Sequence, residues 1–540
     1  MYQPEPQSMT FSTLISDIDK GIIKIPQFQR DFVWTINQSA KLIDSILKGY
    51  PIGTFILWES GEELRSIKNI GGAELPPTPI GSKAQYVLDG QQRMTSLYAT
   101  LKGLLVQRET RKDNFAELYI DLEAEEDGQL VVTDIEDRNP KEVISLRDLL
   151  EGDISVLIEY PKSYHSKLTD YKNRMNTYRF STILLRDATI DVATEVFTRL
   201  NVGGKSLTVF EIMVAKTYDA SKNFDLSEKY DDLLTRLEQV EYETIPESTV
   251  LQVVSTILVK ECTRQHILRL EKADFIDVWD EAVDAIERAI EYFRNYYRIP
   301  VSRLLPYNGL VVTFAYFFYH HKSKPTGYMR ELLDDFFWRV SLSERYSSAL
   351  ETRLGQDIKR IDVILKGELP KYDLKLNVTK DLIINNGHFS VNRSFIKSIL
   401  CLMAYHEPKS FSDNSVVRIN NSFLKQANSK NYHHFFPKAY LQKQGEDMFY
   451  INHIVNITIV DDFLNKNIIR AKAPSEYMKD FVEQNSKLRE TMKDHLIGDL
   501  NEFGVLKDDY ETFFEKRAEL IAEELNKWLI TSKSNLVETM

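Results

Sequence analysis

Leu88-Asp89-Gly90-Gln91-Gln92-Arg93-Met94-Thr95 decides the fold of the first part of this chain. Tyr86 to Leu88 reads as a buried strand, Gly90 permits a tight turn, and Met94, Leu97, Leu101 and Leu104 then recur at helical spacing. A strand that passes through glycine straight into a helix predicts an α/β domain. Its neighbours fit. Ile22 to Ile25 is a short extended run ended by Pro26, and Thr35-Ile36-Asn37-Gln38 is a capping box that opens a helix striped by Ile36, Ala40, Ile43 and Leu47. Gly49 and Pro51 end that helix. Phe55 to Trp58, alternating Leu118, Ile120 and Leu122, and Thr182 to Leu185 predict further strands, and Val192 to Leu200 a helix closed by Gly203-Gly204.

The junction itself is polar. A helix starting after Gly90 offers N–H groups and a partial positive charge to an anion. Gln91, Gln92 and Arg93 add side-chain donors, and Arg93 suits a bidentate phosphate clamp. Asp89 would hold a metal-bound water or orient an arginine. From physics alone, a polar strand–helix junction with Arg93 on the surface reads equally well. No glycine-rich Walker loop with its Lys-Ser/Thr is present, which excludes a P-loop site.

The chain has 540 residues, which at roughly 150 per domain predicts three or four domains. We divide it into 1–215, 216–410 and 411–540. A hydrophobic fraction of 43% and a charged fraction of 27% are ordinary for a folded protein. Two cysteines, Cys262 and Cys401, exclude a cysteine-rich zinc module and fit a reducing compartment. The polar start MYQPEPQSMT lacks a signal peptide's apolar region, and Gly309 to Tyr319 is too short to span a bilayer. A cytoplasmic location, with no membrane partner, is expected. The net charge of −12 speaks against a protein that coats nucleic acid. The average hides a split: Asn223 to Glu247 is acidic, whereas Arg418 to Lys472 is locally basic and able to grip phosphates.

From 216 to 410 the spacing is almost entirely helical, through Val253–Val259, Phe275–Tyr292, Leu332–Val340 and Phe395–Met403. The aromatics Tyr316 to Tyr319 and Phe336 to Trp338 are expected to pack helices together.

The second informative stretch is Asn431-Tyr432-His433-His434-Phe435-Phe436-Pro437-Lys438. Asn452-His453-Ile454-Val455-Asn456 follows, then a strand at Ile457 and Ile459, then a helix start at Asp462 to Ile468. Adjacent histidines on an extended segment point to opposite faces, so they divide two roles. A neutral histidine suits deprotonation of an attacking water, and a divalent metal would absorb charge on a departing phosphate oxygen. Alone, a His-His pair reads more readily as one buried and one surface histidine. The asparagines downstream, at hairpin-to-helix spacing, reverse that balance.

Two resemblances join these stretches. I-P-x-F-Q-R-x-F-x-W from Ile25, D-G-Q-Q-R-x-T from Asp89 and V-F-x-R-L-N-x-x-G from Val196 resemble the N-terminal domain of the GmrSD family of type IV, modification-dependent restriction endonucleases. That resemblance implies a ParB-like fold that binds and hydrolyses a nucleoside triphosphate (GTP, ATP or CTP). Its site would be built from Asp89, Gly90, Gln91, Gln92 and Arg93, with Gln29 and Arg30 lining the same pocket. Arg199 and Asn201 would close a helix over it or serve structure alone. H-H-x-F-P, N-x-x-x-N and N-x-x-I are similar to the HNH domain in the C-terminal half of the same proteins. This implies a ββα-metal (HNH, His-Me finger) nuclease embedded in a helical C-terminal domain, in an α+β multidomain chain with a helical middle. His434 would be the general base, His433 a metal ligand, Asn456 the residue that steadies the hairpin, and Asn465 the last metal ligand. The reverse assignment of His433 and His434 stays open. His453 is expected to be structural, with a backup role open. Lys438 and Lys466 would contact phosphate or remain solvated.

The resemblance implies a divalent metal, magnesium or manganese, and a DNA partner in anti-phage defence. Modified phage DNA or phosphorothioate-marked DNA, as in the related SspE defence proteins, are the candidate substrates. A homodimer is compatible, because one HNH site cuts one strand. Two rivals stand beside this reading: a nucleotide-switched DNA-binding or scaffold protein with an inactive HNH fold, and an RNA-cleaving defence effector.

Overall fold

The computed structural model describes residues 4–530 except 27–31, 62–63, 65, 67–68, 71–72, 108–111, 126–127, 137, 201–206, 374–375, 420–431 and 461–463. Gln29, Arg30, Asn201, Gly203-Gly204 and Asn431 therefore lie outside the described residues. The chain divides into two compact units, Met1–Leu226 and Ser227–Met540.

The first unit is built on a five-stranded sheet. Its strands are β1 (Glu5–Thr10), β2 (Ile23–Lys24), β3 (Phe55–Ser60), β4 (Ala84–Asp89) and β5 (Arg179–Arg186), in the order β1-β5-β3-β4-β2. The sheet is mixed. β5 runs parallel to β3 and β2 parallel to β4, whereas β1–β5 and β3–β4 are antiparallel. The α/β pattern expected from the sequence is thus refined to α+β. In 61–83 the described residues form a small ladder, Asn69–Ile70 with Ala73–Glu74, instead of a crossover helix. The chain therefore re-enters beside β3 in the opposite direction.

Helices α1 (Phe11–Asp19), α2 (Ile36–Leu47) and α3 (Gln91–Lys102) share the sheet's hydrophobic core. The capping box at Thr35 forms as expected, with Gln38 N donating to Thr35 Oγ1 at 3.1 Å and Thr35 N to Gln38 Oε1 at 2.9 Å. Ala40, Ile43 and Leu47 are buried as the stripe predicts. At the core, Phe180 from β5 meets Phe11 edge-on at 4.5 Å and Phe55 at 5.8 Å. Aromatic pairs of this geometry add to their area burial.

The second unit is largely helical. Helix α4 (Gly309–His320), the most apolar run, packs against the helices Glu247–Val259, Lys272–Asn295 and Leu350–Leu365. The aromatics do pack helices: Phe293 lies 4.8 Å from Phe314, and Tyr297 stacks on Phe337 at 4.2 Å. Among the described residues no helix is long and apolar enough to cross a membrane. In the same unit, β6 (Tyr432–His434) and β7 (Ile457–Ile459) pair antiparallel, with His433 opposite Thr458 and His434 opposite Ile457. A π-wound helical turn, Leu464–Ile469, follows them, and helix α5 (Tyr510–Asn526) closes the chain's last core.

Candidate functional site

In the first unit, the junction between β4 and α3 is built as the spacing predicts. Asp89 ends the strand, Gly90 takes φ +92°, and α3 begins at Gln91. The pairing of β3 with β4 slips at this point, from Leu57 opposite Val87 to Ile56 opposite Asp89. One extra residue is thereby accommodated, a bulge of the kind that re-aims side chains at a strand end. Glycine at 90 is required twice over. Its φ lies in the left-handed region, and a Cβ there would meet the Phe55 ring at 2.5 Å. Gly90→Ala is expected to destabilise the first unit by about 2 kcal/mol or more, from backbone strain and displacement of a core phenylalanine. A lower melting temperature checks it, and an unchanged one rejects the account.

The two glutamines are buried, not displayed. Gln92 Oε1 accepts from Val33 N at 2.8 Å and Trp34 N at 3.4 Å, and Gln92 Nε2 donates to Gln91 Oε1 at 3.0 Å. The two polar clusters, fifty-nine residues apart at Val33 and Gln92, are therefore one structure. Arg93 works on the chain as well. Its Nη1 donates to Ile52 O at 2.7 Å, and its Nη2 to Thr54 O at 3.1 Å and Asp89 Oδ2 at 3.2 Å. The guanidinium lies 5.2 Å from the Phe55 ring centre. Asp89 thus orients an arginine, one of the two roles expected of it. Arg93 braces the turn at Gly53, where a Cβ would approach Nη1 to 2.3 Å. A bidentate phosphate clamp by Arg93 would have to exchange some of these bonds. Arg199, on the helix Ile190–Leu200, pairs with Glu195 at the surface.

In the second unit, the two histidines of β6 face opposite sides as alternation requires. His433 is buried and His434 half-buried. Phe435 and Phe436 explain how the strand is anchored. Phe435 stacks on Phe513 at 4.9 Å with the rings 7° apart, Phe436 lies 5.1 Å from Tyr510, and Tyr477 Oη donates to Phe435 O at 2.6 Å. Burying two phenylalanines against α5 contributes on the order of 4–6 kcal/mol and fixes where His434 stands.

Asn456 is fully buried and bonded entirely to backbone. Its Oδ1 accepts from Phe436 N at 2.9 Å, while its Nδ2 donates to Phe436 O at 3.0 Å and Ile451 O at 3.2 Å. It staples the hairpin just beyond His434. Its side chain ties Phe436 to Ile451 through the backbone. His453 is fully buried, accepting from Val455 N at 3.2 Å through Nδ1 and donating from Nε2 to Ile384 O at 3.0 Å. Burial pushes its pKa down to about 4. With both ring nitrogens committed, it is structural. Burial also lowers the pKa of His434, keeping the ring neutral and so able to take a proton. Asn465 lies in the turn Leu464–Ile469, and its side chain is outside the described residues.

Two residues at this site were not singled out from the sequence with a role. Asn452 places Oδ1 3.0 Å from His434 Nε2. Arg517, on α5, is fully buried and donates to Val455 O at 2.5 Å and His495 O at 2.9 Å. Asn452 stood in the N-x-x-x-N pattern, so its position was visible though its task was not. Arg517 has no local signal, being sixty-two residues from the carbonyl it meets.

Compared with known proteins, the chain is 24% identical to an uncharacterized protein, MJ0686, of Methanocaldococcus jannaschii, with 95% of this chain and 97% of that protein covered. Residues 11–218 match the family model described as the GmrSD restriction endonuclease, N-terminal domain, so the stretch that carries the Asp89–Thr95 junction is similar to a restriction-endonuclease domain.

Proposed function

We propose that this protein is a nucleoside-triphosphate-regulated, metal-dependent DNA endonuclease of anti-phage defence, restricting modified DNA. The observation that carries the reading is His434. It is a half-buried neutral imidazole on a two-stranded hairpin, held at one ring nitrogen by Asn452, with Asn456 fixing the backbone behind it. The match of residues 11–218 to a restriction-endonuclease domain supports nuclease function and DNA as substrate.

In this mechanism His434 takes a proton from water as the oxygen attacks phosphorus. Asn456 keeps the strand from sliding, and the Phe435–Phe513 stack holds it against α5. Among the described residues no three histidine, cysteine or acidic side chains converge. The donor set would be His433 with Asn465, one imidazole nitrogen and one carboxamide oxygen, which would leave sites open for water and phosphate on a divalent cation. Bound there, magnesium or manganese would neutralise charge on the departing oxygen.

The ParB-like first unit would hold GTP, ATP or CTP at the start of α3. Gly90 would let the backbone come close, Asp89, Gln91, Gln92 and Arg93 would build the site around it, and Gln29 and Arg30, outside the described residues, would complete the same pocket. The helical stretch 216–410 would connect this domain to the nuclease domain, 411–540. Two copies acting together would break both strands.

The test is plasmid cleavage by the purified chain, with magnesium or manganese, with and without each nucleotide. Unmodified, glucosylated-hydroxymethylcytosine and phosphorothioate DNA are compared, with RNA alongside. Metal-dependent breaks confined to one modified DNA and altered by nucleotide are expected. No cleavage of any DNA with either metal overturns the proposal, and cleavage of RNA alone replaces it with the RNA-cleaving reading.

A further inference from the structure

Asn452 and Asn456 stand four positions apart, yet the two side chains do different work. Asn456 is spent on backbone groups of the hairpin. Asn452 reaches a ring. Its carboxamide oxygen stands 3.0 Å from His434 Nε2. A carboxamide oxygen only accepts, so the ring nitrogen must carry the proton. A neutral imidazole has one N–H, and Nδ1 is then the basic nitrogen. Among the described residues this is the single hydrogen bond of the His434 side chain.

The acceptor is itself held. Asn452 N donates to Met448 O at 3.0 Å, and Asn452 O accepts from Phe389 N at 2.9 Å. The next residue, His453, is clamped from the same side. Ile454 N donates to Gly387 O at 2.7 Å, and a Cβ on Gly387 would meet the His453 ring at 2.2 Å. The segment 384–389 therefore fixes the backbone of Asn452 from outside the hairpin.

We infer that Asn452 is a positioning residue that locks the His434 imidazole in the tautomer protonated on Nε2, leaving Nδ1 as the base. Its value to catalysis rests on the nuclease reading, whereas the lock itself does not. A ring free to exchange tautomers would spend part of its time with the proton on the nitrogen that must accept one. Outer partners of metal-ligating histidines are worth about 10–100-fold in metal affinity or activity, and a loss of the same order is expected for a base held in this way.

The experiment uses the full chain labelled with 15N-histidine. Multiple-bond 15N–1H spectra report the tautomer of each ring, and His434→Ala identifies the His434 signals. The native ring is expected as a single Nε2–H form. Asn452→Leu, which keeps the bulk and loses the acceptor, is expected to give a mixture, and Asn452→Asp, which keeps an acceptor, the native form. In cleavage, Asn452→Leu should lower kcat about 10–100-fold at unchanged KM for DNA, with Asn452→Asp retaining most activity. A native ring protonated on Nδ1 overturns the inference, as does an unchanged tautomer in Asn452→Leu or an unchanged kcat. If the leucine variant does not fold, Asn452→Ser, too short to reach the ring, is expected to give the same mixture. A locked tautomer in a chain that cuts no DNA would retire the nuclease reading and leave the lock standing.

Discussion

His434→Ala is expected to lower the rate of metal-dependent DNA cleavage by about 10²–10⁴-fold, the range that a positioned general base contributes. The argument rests on how little else the side chain does. It is half-buried and, among the described residues, makes one hydrogen bond, to Asn452. The strand that carries it is held by its neighbours, through Asn456 and the Phe435–Phe513 stack. Deleting the ring should therefore leave the melting temperature within a few degrees and the KM for DNA unchanged. Nucleotide hydrolysis, which we propose for the first unit, should continue at the native rate. His433→Ala should behave differently. A lost ligand raises the metal concentration needed for cutting, and saturating metal restores part of the rate. If His434→Ala cuts at the native rate while His433→Ala is dead at every metal concentration, the two roles are reversed.

The second large effect is acid lability of the β6–β7 hairpin. His453 and His495 are both buried, and burial pushes each from 6.5 down to about 4. Each donates from Nε2 to a backbone carbonyl, Ile384 O at 3.0 Å and Lys409 O at 2.7 Å. Below pH 6.5 the unfolded chain takes up protons that the folded chain refuses, so protonation favours unfolding. Their contribution is intact above pH 6.5 and is lost as the pH falls towards 4. At about 1.4 kcal/mol per group per pH unit, the two together remove on the order of 6 kcal/mol, comparable with the whole stability of many domains. Hydrogen exchange of the β6 and β7 amides at pH 7, 5.5 and 4.5, corrected for intrinsic rates, measures it. Protection should fall steeply over that window, and His495→Gln should flatten the fall. Constant protection from pH 7 to 4.5 would refute the mechanism.

How much of this was legible in the sequence follows from the range of each interaction. The Thr35–Gln38 capping box, the strand–glycine–helix passage at Asp89–Gln91 and the opposite faces of His433 and His434 are local, and local chemistry determines them. The sheet's strand order was not readable. Pairing of Glu5–Thr10 with Arg179–Arg186 joins segments far apart, and β1 is mostly exposed, without a clear apolar alternation. Gln91 and Gln92 were read as displayed donors because polar residues usually face water. Their burial depends on Val33 and Trp34 arriving from another part of the chain. Arg93 was read as a phosphate clamp for the same reason, since the carbonyls of Ile52 and Thr54 that occupy it cannot be placed without the fold. Asn452 was visible as a letter in a pattern, but only the fold brings its carboxamide to the His434 ring.

Arg517 bears on how such a hairpin could be inherited. It is a buried cation that bridges the carbonyls of Val455 and His495, while Ile384 and Gly387 hold His453 and Ile454 from the other direction. The hairpin is therefore clasped by residues some seventy positions before His453 and some sixty after Val455. A gene fragment starting at 411 would carry the histidines and both asparagines yet omit half of the clasp. Recombination could move this hairpin between proteins only as a block reaching from the segment around Ile384 through α5, so its flanking helices should travel with it wherever it is found.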